Sequence, residues 1–88
     1  MSDAVWRSEL APRAQRDLRR LDPPVMNRVL DAIDRLCADD PVGDVRRLTG
    51  RPESRLRVGD WRVLFVRDDQ RRAVRVLRVL PRGRAYDR

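Results

Sequence analysis

The sequence predicts an α+β domain: an N-terminal strand, a two-helix hairpin, and then an antiparallel sheet of three or four strands. Two observations predict this fold class. Apolar residues recur at helical spacing between residues 12 and 37, whereas after Gly43 the helical period gives way to alternation and apolar runs typical of strands. A length of 88 residues suits one core. We therefore expect residues 1–88 to form a single domain.

The first predicted element is a strand over residues 5–10. Trp6, Ser8 and Leu10 would share one face, and Arg7 and Glu9 the other. The next element is a helix that begins near Pro12, because a proline in the first helical turn lacks an N–H that has no partner there anyway.

A second helix follows, because Asp22 and Pro23 are typical of an N-cap followed by a proline at the first helical position. Residues 39–43 (Asp-Asp-Pro-Val-Gly) predict its end. The two helices need an apolar partner, and the sheet is the one available. The apolar stripes of the two helices consist of Ala14, Leu18 and Leu21, and of Val25, Val29, Ala32, Ile33 and Leu36.

The second half of the chain predicts the sheet. Residues 45–48 form a connector or edge strand, and residues 49–52 a turn. In residues 55–58, alternation directs Arg55 and Arg57 outward and Leu56 and Val58 inward. A tight turn at residues 59–60 leads to a strand over residues 61–67, and a turn at 68–70 leads to the longest strand, over residues 73–80.

Charge is distributed unevenly along the chain. The net charge is +7, and all 21 basic residues are arginine. Residues 1–44 hold 7 Arg and 9 acidic residues, for −2, whereas residues 45–88 hold 14 Arg and 5 acidic residues, for +9. This asymmetry predicts that the second half contacts a polyanion. The single cysteine, Cys37, excludes an intrachain disulfide, and no apolar run is long enough for a membrane span, so we expect a cytoplasmic protein.

Common catalytic residue types are scarce. The chain has no histidine and one cysteine, so neither an imidazole base nor a thiolate metal cluster is expected. The acidic pairs at residues 39–40 and 68–69 are typical of solvated turns. We predict no metal and no cofactor.

Arginines and one tyrosine are the remaining candidates for chemistry. Arg55 and Arg57 share a strand face, and Arg62 reaches the same region across the turn. Arg82 and Tyr86 follow the last strand in a polar segment. Taken singly, each arginine fits a solvated basic surface; taken together, the five residues favour a phosphate-binding site.

Several motifs resemble those of the RelE/ParE superfamily of bacterial toxins. The resemblance covers most of the chain and rests on Ala14-x-x-Asp17-Leu18, Leu48-x-Gly50, the string RLRVGDWRV at residues 55–63, and Arg82-x-x-x-Tyr86. The terminal arginine and tyrosine favour the RNA-cleaving RelE branch over the gyrase-directed ParE branch.

This resemblance implies a RelE-like microbial RNase fold and a ribosome-dependent endoribonuclease that cuts mRNA in the A site. It also implies inhibition by a cognate RelB-like antitoxin; the toxin alone is expected to be a monomer. Two departures from the family pattern stand out: Pro81 where many relatives have histidine, and Arg57 where lysine is common. The catalytic residues implied are Arg55, Arg57, Arg62, Arg82 and Tyr86, and the additional RNA-binding residues predicted are Arg47, Arg51, Arg78 and Arg84.

Two other functions stay open at this point. A ParE-like protein would bind and poison gyrase without being an enzyme. A member that only binds RNA would use the same arginines electrostatically, without cutting.

Overall fold

The computed structural model describes residues 6–38 and 44–81, and it confirms the predicted α+β architecture. A five-stranded sheet carries two helices, with strand order β1-β5-β4-β3-β2. The elements are β1 (Arg7–Leu10), α1 (Pro12–Arg19), α2 (Pro23–Cys37), β2 (Asp44–Arg47), β3 (Ser54–Val58), β4 (Trp61–Asp68) and β5 (Ala73–Pro81).

The sheet is mixed because its first strand joins it in parallel. Strands β2 to β5 form an antiparallel meander, as predicted. β1 pairs in parallel with β5, with Arg7 opposite Ala73 and Leu10 opposite Val76. The helical hairpin between β1 and β2 carries the chain across the sheet, which is why the first and last of these strands become neighbours while β2 forms the far edge.

Prolines fix the start of both helices. Pro12 follows the N-cap Ala11, whose methyl side chain cannot accept a capping hydrogen bond. Asp22 occupies the predicted N-cap position of α2, but its side chain makes no capping hydrogen bond. α2 ends at Cys37, with Ala38 as C-cap, and the predicted terminator at residues 39–43 lies outside the described residues. Neither described helix is long and apolar enough to cross a membrane.

The core lies between the helices and one face of the sheet. Strand alternation places Leu56, Val63 and Phe65 on this inner face, each at most 1% exposed. They join one apolar cluster with helix residues such as Leu18 and Ile33. The opposite face, here called the outer face, carries the residues in between.

A β-bulge near the end of β5 changes which residues of this strand face the core. Val76 and Val79 are both buried although they are three residues apart, and simple alternation would put them on opposite faces. In the register, Phe65 is opposite Val76 and Leu64 is opposite Arg78, which leaves Leu77 as the extra residue. The bulge therefore returns Val79 to the core.

Asp17 joins α1 to β5 beyond the end of β1. Its Oδ2 accepts hydrogen bonds from Arg78 Nε at 2.8 Å and from the Val79 N–H at 2.9 Å. Its Oδ1 accepts a further bond from Arg78 Nη2 at 3.2 Å. The β1–β5 pairing stops at Val76, so this carboxylate supplies an acceptor on the side of β5 that β1 no longer covers.

We predict that Asp17→Asn lowers the free energy of unfolding by about 1–3 kcal/mol near neutral pH, because Arg78 and the Val79 N–H lose a charged acceptor. Burial alone would raise the pKa of Asp17, but the hydrogen bonds from Arg78 and Val79 and the nearby Arg charges outweigh burial, and the pKa is lowered. The carboxylate therefore stabilises the fold above the ordinary carboxyl pKa, and this contribution is lost as pH falls through the lowered pKa.

Urea denaturation near neutral pH and at about pH 3 measures this dependence. The penalty of Asp17→Asn should shrink in acid. Asp31→Asn is the matched control, because this exposed carboxylate lies 3.9 Å from Arg35 on α2; we expect it to cost less than about 0.5 kcal/mol. An equal penalty for Asp17→Asn at both pH values would contradict the assigned role.

Candidate nucleic-acid interface

The β3–β4 hairpin brings three of the predicted arginines together on the outer face. Arg57 is directly opposite Arg62, and Arg55 lies two residues before Arg57 on the same face. Residues opposite each other in an antiparallel pair have Cβ atoms about 5 Å apart. Like charges directly opposite each other are unfavourable to a strand pair, and an anion that bound both side chains would offset this cost.

The turn at Gly59 sets this register. Val58 pairs with Trp61, so the loop consists of Gly59 and Asp60 alone. Gly59 has φ +57°, whereas Asp60 is not among the described residues with positive φ. A positive φ at only the first loop position is the pattern of a type II′ turn, whose twist suits a two-residue hairpin. Because the loop has only two residues, it fixes the pairing of Arg57 with Arg62.

Arg62 is the most buried charged residue of this group, with 7% of its surface exposed. It lies opposite Leu80 on β5, while Arg55 lies opposite Leu64 on β4. Arg55 and Arg57 are half-buried. Arg55 and Arg62 thus each have an apolar residue opposite them, and burial lowers the local dielectric around Arg62, which strengthens its attraction for a phosphate.

Arg46 joins the same site, although the sequence pattern did not predict it. It pairs with Arg55 across β2 and β3. Arg47, which was predicted to bind RNA, pairs with Ser54 instead and lies on the opposite face. It lines a polar groove that also includes Arg67. We call Arg46, Arg55, Arg57 and Arg62 the outer arginine cluster.

The other predicted site residues lie elsewhere or outside the described chain. Arg51 is exposed in the β2–β3 turn, with its Nε 3.5 Å from Glu53. Arg78 is held by Asp17, whose hydrogen bond raises the pKa of Arg78. The residues that lie outside the described ranges are Arg82, Arg84 and Tyr86.

A second group of arginines surrounds one carboxylate on β1. Glu9 contacts Arg71 Nη2 at 2.6 Å, Arg75 Nη1 at 3.8 Å and Arg7 Nη2 at 3.9 Å. Three guanidinium groups thus share one carboxylate, so this group of residues has a net positive charge. Glu9 pairs with Arg75 in the β1–β5 register, so this group lies on the outer face near its other edge.

Other reactive groups are few among residues 6–38 and 44–81. Within these ranges no three His, Cys, Asp or Glu residues form a group that could hold a metal ion. Cys37 is buried on α2. Burial raises the pKa of its thiol, and the charge of Asp34 raises it further. The structure thus places this thiol in the core, as expected for a packing residue.

A family model matches nearly the whole chain. It is described as the ParE toxin of a type II toxin–antitoxin system, parDE, and it matches residues 9–86. No curated protein sequence matches the chain significantly.

Several solved structures of RelE proteins share the fold. The toxin–antitoxin complex RelBE2 from Mycobacterium tuberculosis is similar at 28% identity, with a TM-score of 0.75, covering 90% of this chain and 100% of the other. The archaeal RelE–RelB complex from Pyrococcus horikoshii OT3 shows 26% identity, a TM-score of 0.76 and coverage of 92% and 99%. The isolated E. coli RelE toxin, at 19% identity, shares the fold, with a TM-score of 0.73 and coverage of 94% and 90%.

We predict that Gly59→Ala lowers the free energy of unfolding by about 1 kcal/mol or more, because alanine is strained at positive φ. Space is not limiting, since the nearest atom to an added Cβ is Arg28 Nη1, at 3.8 Å. Gly50→Ala is the matched control, because Gly50 has φ +71° and open space around it but lies in the β2–β3 turn.

Both variants should lose similar stability in urea titrations. Only Gly59→Ala should also change the amide chemical shifts of Arg57 and Arg62, which the turn aligns. Unchanged stability in Gly59→Ala would show that the positive φ is not required.

Proposed function

We propose that this chain, which belongs to the family of ParE toxins of type II toxin–antitoxin systems, acts as an endoribonuclease that cuts mRNA in the ribosomal A site. One observation carries this proposal: Arg57 and Arg62 are directly opposite on neighbouring strands, and Arg62 is 7% exposed. A protein that needed only solubility would not place two like charges in this position. A ribosomal target also implies a cytoplasmic location.

The outer arginine cluster suits a scissile phosphodiester. Guanidinium groups are planar, stay charged at all physiological pH values, and bind phosphate oxygens through paired hydrogen bonds. During cleavage the phosphate passes through a pentacoordinate state with extra negative charge. Fixed positive groups beside apolar side chains stabilise that charge without having to reorganise. In this role the arginines supply the charge stabilisation of the step.

The base of the reaction is assigned to Tyr86 on the strength of the sequence resemblance. A phenol has a pKa of about 10 in water, and positive charge held beside a phenol would lower that pKa. The phenolate takes the proton of the 2′-hydroxyl, and the 2′-oxygen then bonds to the adjacent phosphorus. The bond from phosphorus to the 5′-oxygen breaks, and this oxygen takes a proton from water. The products are a 2′,3′-cyclic phosphate and a 5′-hydroxyl.

Arg82 is proposed to assist this step by stabilising the phenolate and the phosphate. Arg57 is unsuited to donate the leaving-group proton, because a guanidinium group keeps its proton throughout the physiological pH range. For this reason we assign it to charge stabilisation. Neither a metal nor a cofactor takes part in the proposed step.

An acidic antitoxin is the proposed inhibitor. The solved RelE complexes from M. tuberculosis and P. horikoshii contain RelB partners, and we propose a RelB-like partner here. The outer arginine cluster would attract an acidic segment at short range. We propose that the toxin is a monomer by itself and forms a heteromer with the antitoxin.

Gyrase inhibition is the second candidate. The observation that favours it is the family match, whose description names ParE. In this alternative the same surface would bind gyrase and no RNA would be cut.

We predict that Arg57→Gln and Arg62→Gln each reduce mRNA cleavage by about 10²- to 10³-fold, because each removes a positive group from the transition state. Mapping mRNA 5′ ends in a translating extract measures the loss. Arg35→Gln on α2 is the control, since this exposed arginine belongs to the helix layer. Arg57→Gln should unfold within about 0.5 kcal/mol of the wild type, because its side chain does not contribute to the core.

We also predict that Tyr86→Phe abolishes cuts within codons, since phenylalanine cannot accept the 2′-hydroxyl proton. A second experiment adds the protein to a gyrase supercoiling assay and measures whether supercoiling is inhibited. If wild-type protein leaves mRNA intact and blocks supercoiling, the nuclease proposal fails and the gyrase alternative stands.

A further inference from the structure

Helix α1 carries an exposed row of arginines, although the half of the chain to which it belongs has a net negative charge. The N-terminal half of the sequence is acidic overall, yet α1 and its C-cap hold Arg13, Arg16, Arg19 and Arg20. All four are exposed. None of them forms an ion pair with another residue in the described ranges.

Helix energetics explain only part of this row. Arg16 and Arg19 lie in the last turn, where positive charge is favourable to the helix dipole. Arg13 lies in the first turn, where the same dipole opposes it. Arg13 and Arg16 are three residues apart, and Arg16 and Arg20 are four apart, so these neighbours repel along one side of the helix.

The one acidic residue of α1 relieves only part of this repulsion. Asp17 attracts Arg20, but its hydrogen bonds go to β5, where it binds Arg78 and the Val79 N–H. Its side chain is 10% exposed. The exposed side of α1 therefore keeps a positive surplus at a cost in helix stability, which points to an anionic ligand.

A cleft runs from the end of α1 towards the outer arginine cluster. Asp17 and Arg20 line it from α1, and Trp61, Arg78 and Leu80 line it from the ends of β4 and β5. Asp17 pairs with Arg78 there, so Arg20 supplies the surplus positive charge of the cleft. At the other end, Leu80 is opposite Arg62 in the sheet, so the cleft has an arginine of α1 at one end and borders an arginine of the cluster at the other.

We propose that the exposed side of α1, formed by Arg13, Arg16 and Arg20, binds the phosphate backbone of RNA that leaves the outer arginine cluster through this cleft. The inference rests on the proposed nuclease function and extends it to a docking surface. At a rise of 1.5 Å per residue, the row spans about 10 Å, which is enough for more than one phosphate. Arginine forks bind phosphate oxygens in pairs, and the connection to the cluster favours RNA over an acidic polypeptide.

Two double variants with the same charge change test this proposal. Arg13→Gln with Arg16→Gln removes two charges from α1. Arg28→Gln with Arg35→Gln removes two exposed charges from α2 and is the control. Glutamine preserves helix propensity. The probe is a fluorescent single-stranded RNA with 2′-O-methyl groups, which cannot be cut by attack of a 2′-oxygen.

Anisotropy titrations over a series of salt concentrations measure binding. Losing two phosphate contacts should make the slope of log K against log [salt] shallower by about 1.4 in the α1 variant. The α2 control should keep the slope of the wild type. In the translating extract, the α2 control should also cut mRNA as the wild type does, because neither Arg28 nor Arg35 belongs to the proposed RNA-binding surface. Matching thermal unfolding of both variants verifies that they fold.

A wild-type slope in the α1 variant would overturn the inference. So would displacement of the RNA by poly-L-glutamate at equal charge concentration, because the surface would then select acidic chains in general. If the wild type cuts no mRNA but the slope still depends on α1, the nuclease proposal fails while the docking surface stands. If cleavage is present and both variants bind alike, the docking surface alone fails.

Discussion

Backbone pairing between β3 and β4 determines both the core and the outer arginine cluster. Because successive residues of a strand point to opposite faces, one register puts Leu56 and Val63 under the helices and Arg57 and Arg62 on the outer face. A slip of one residue would bury the arginines and expose the core side chains. Hydrophobic burial therefore enforces the same alignment that assembles the charged site, and the tight turn at Gly59 limits the alternatives.

The elements that arise from local patterns could be predicted from the sequence. Prolines and apolar spacing predicted both helices, and alternation predicted the side of the sheet on which Arg55 and Arg57 lie. Pairing between distant segments could not be predicted in the same way. Nothing local to residues 7–10 specifies a parallel partner, and the bulge at Leu77 is visible in the sequence only as an unusual three-residue spacing between Val76 and Val79.

The face of the sheet on which a site residue lies could be predicted where the alternation of a strand was clear. It could not be predicted where contacts between distant segments determine it. Residues 45–48 read as a connector or edge strand, so parity could not separate Arg46 from Arg47; the pairing with β3 places them on opposite faces. Counting charges by halves of the chain likewise hid the arginines of α1. Their acidic neighbour Asp17 forms hydrogen bonds with Arg78, which is distant in sequence. A count of charges along the chain cannot show this pairing.

The parallel pairing of β1 with β5 also constrains how the chain acquires its shape during synthesis. β1 is made first among the described strands, and its only strand partner is made last. Contacts between such distant segments form slowly, because a long loop must close before any of them is gained. The sheet therefore stays open at β1 until β5 has left the ribosome, so the assembled domain arises only after nearly all of the residues described here have been translated.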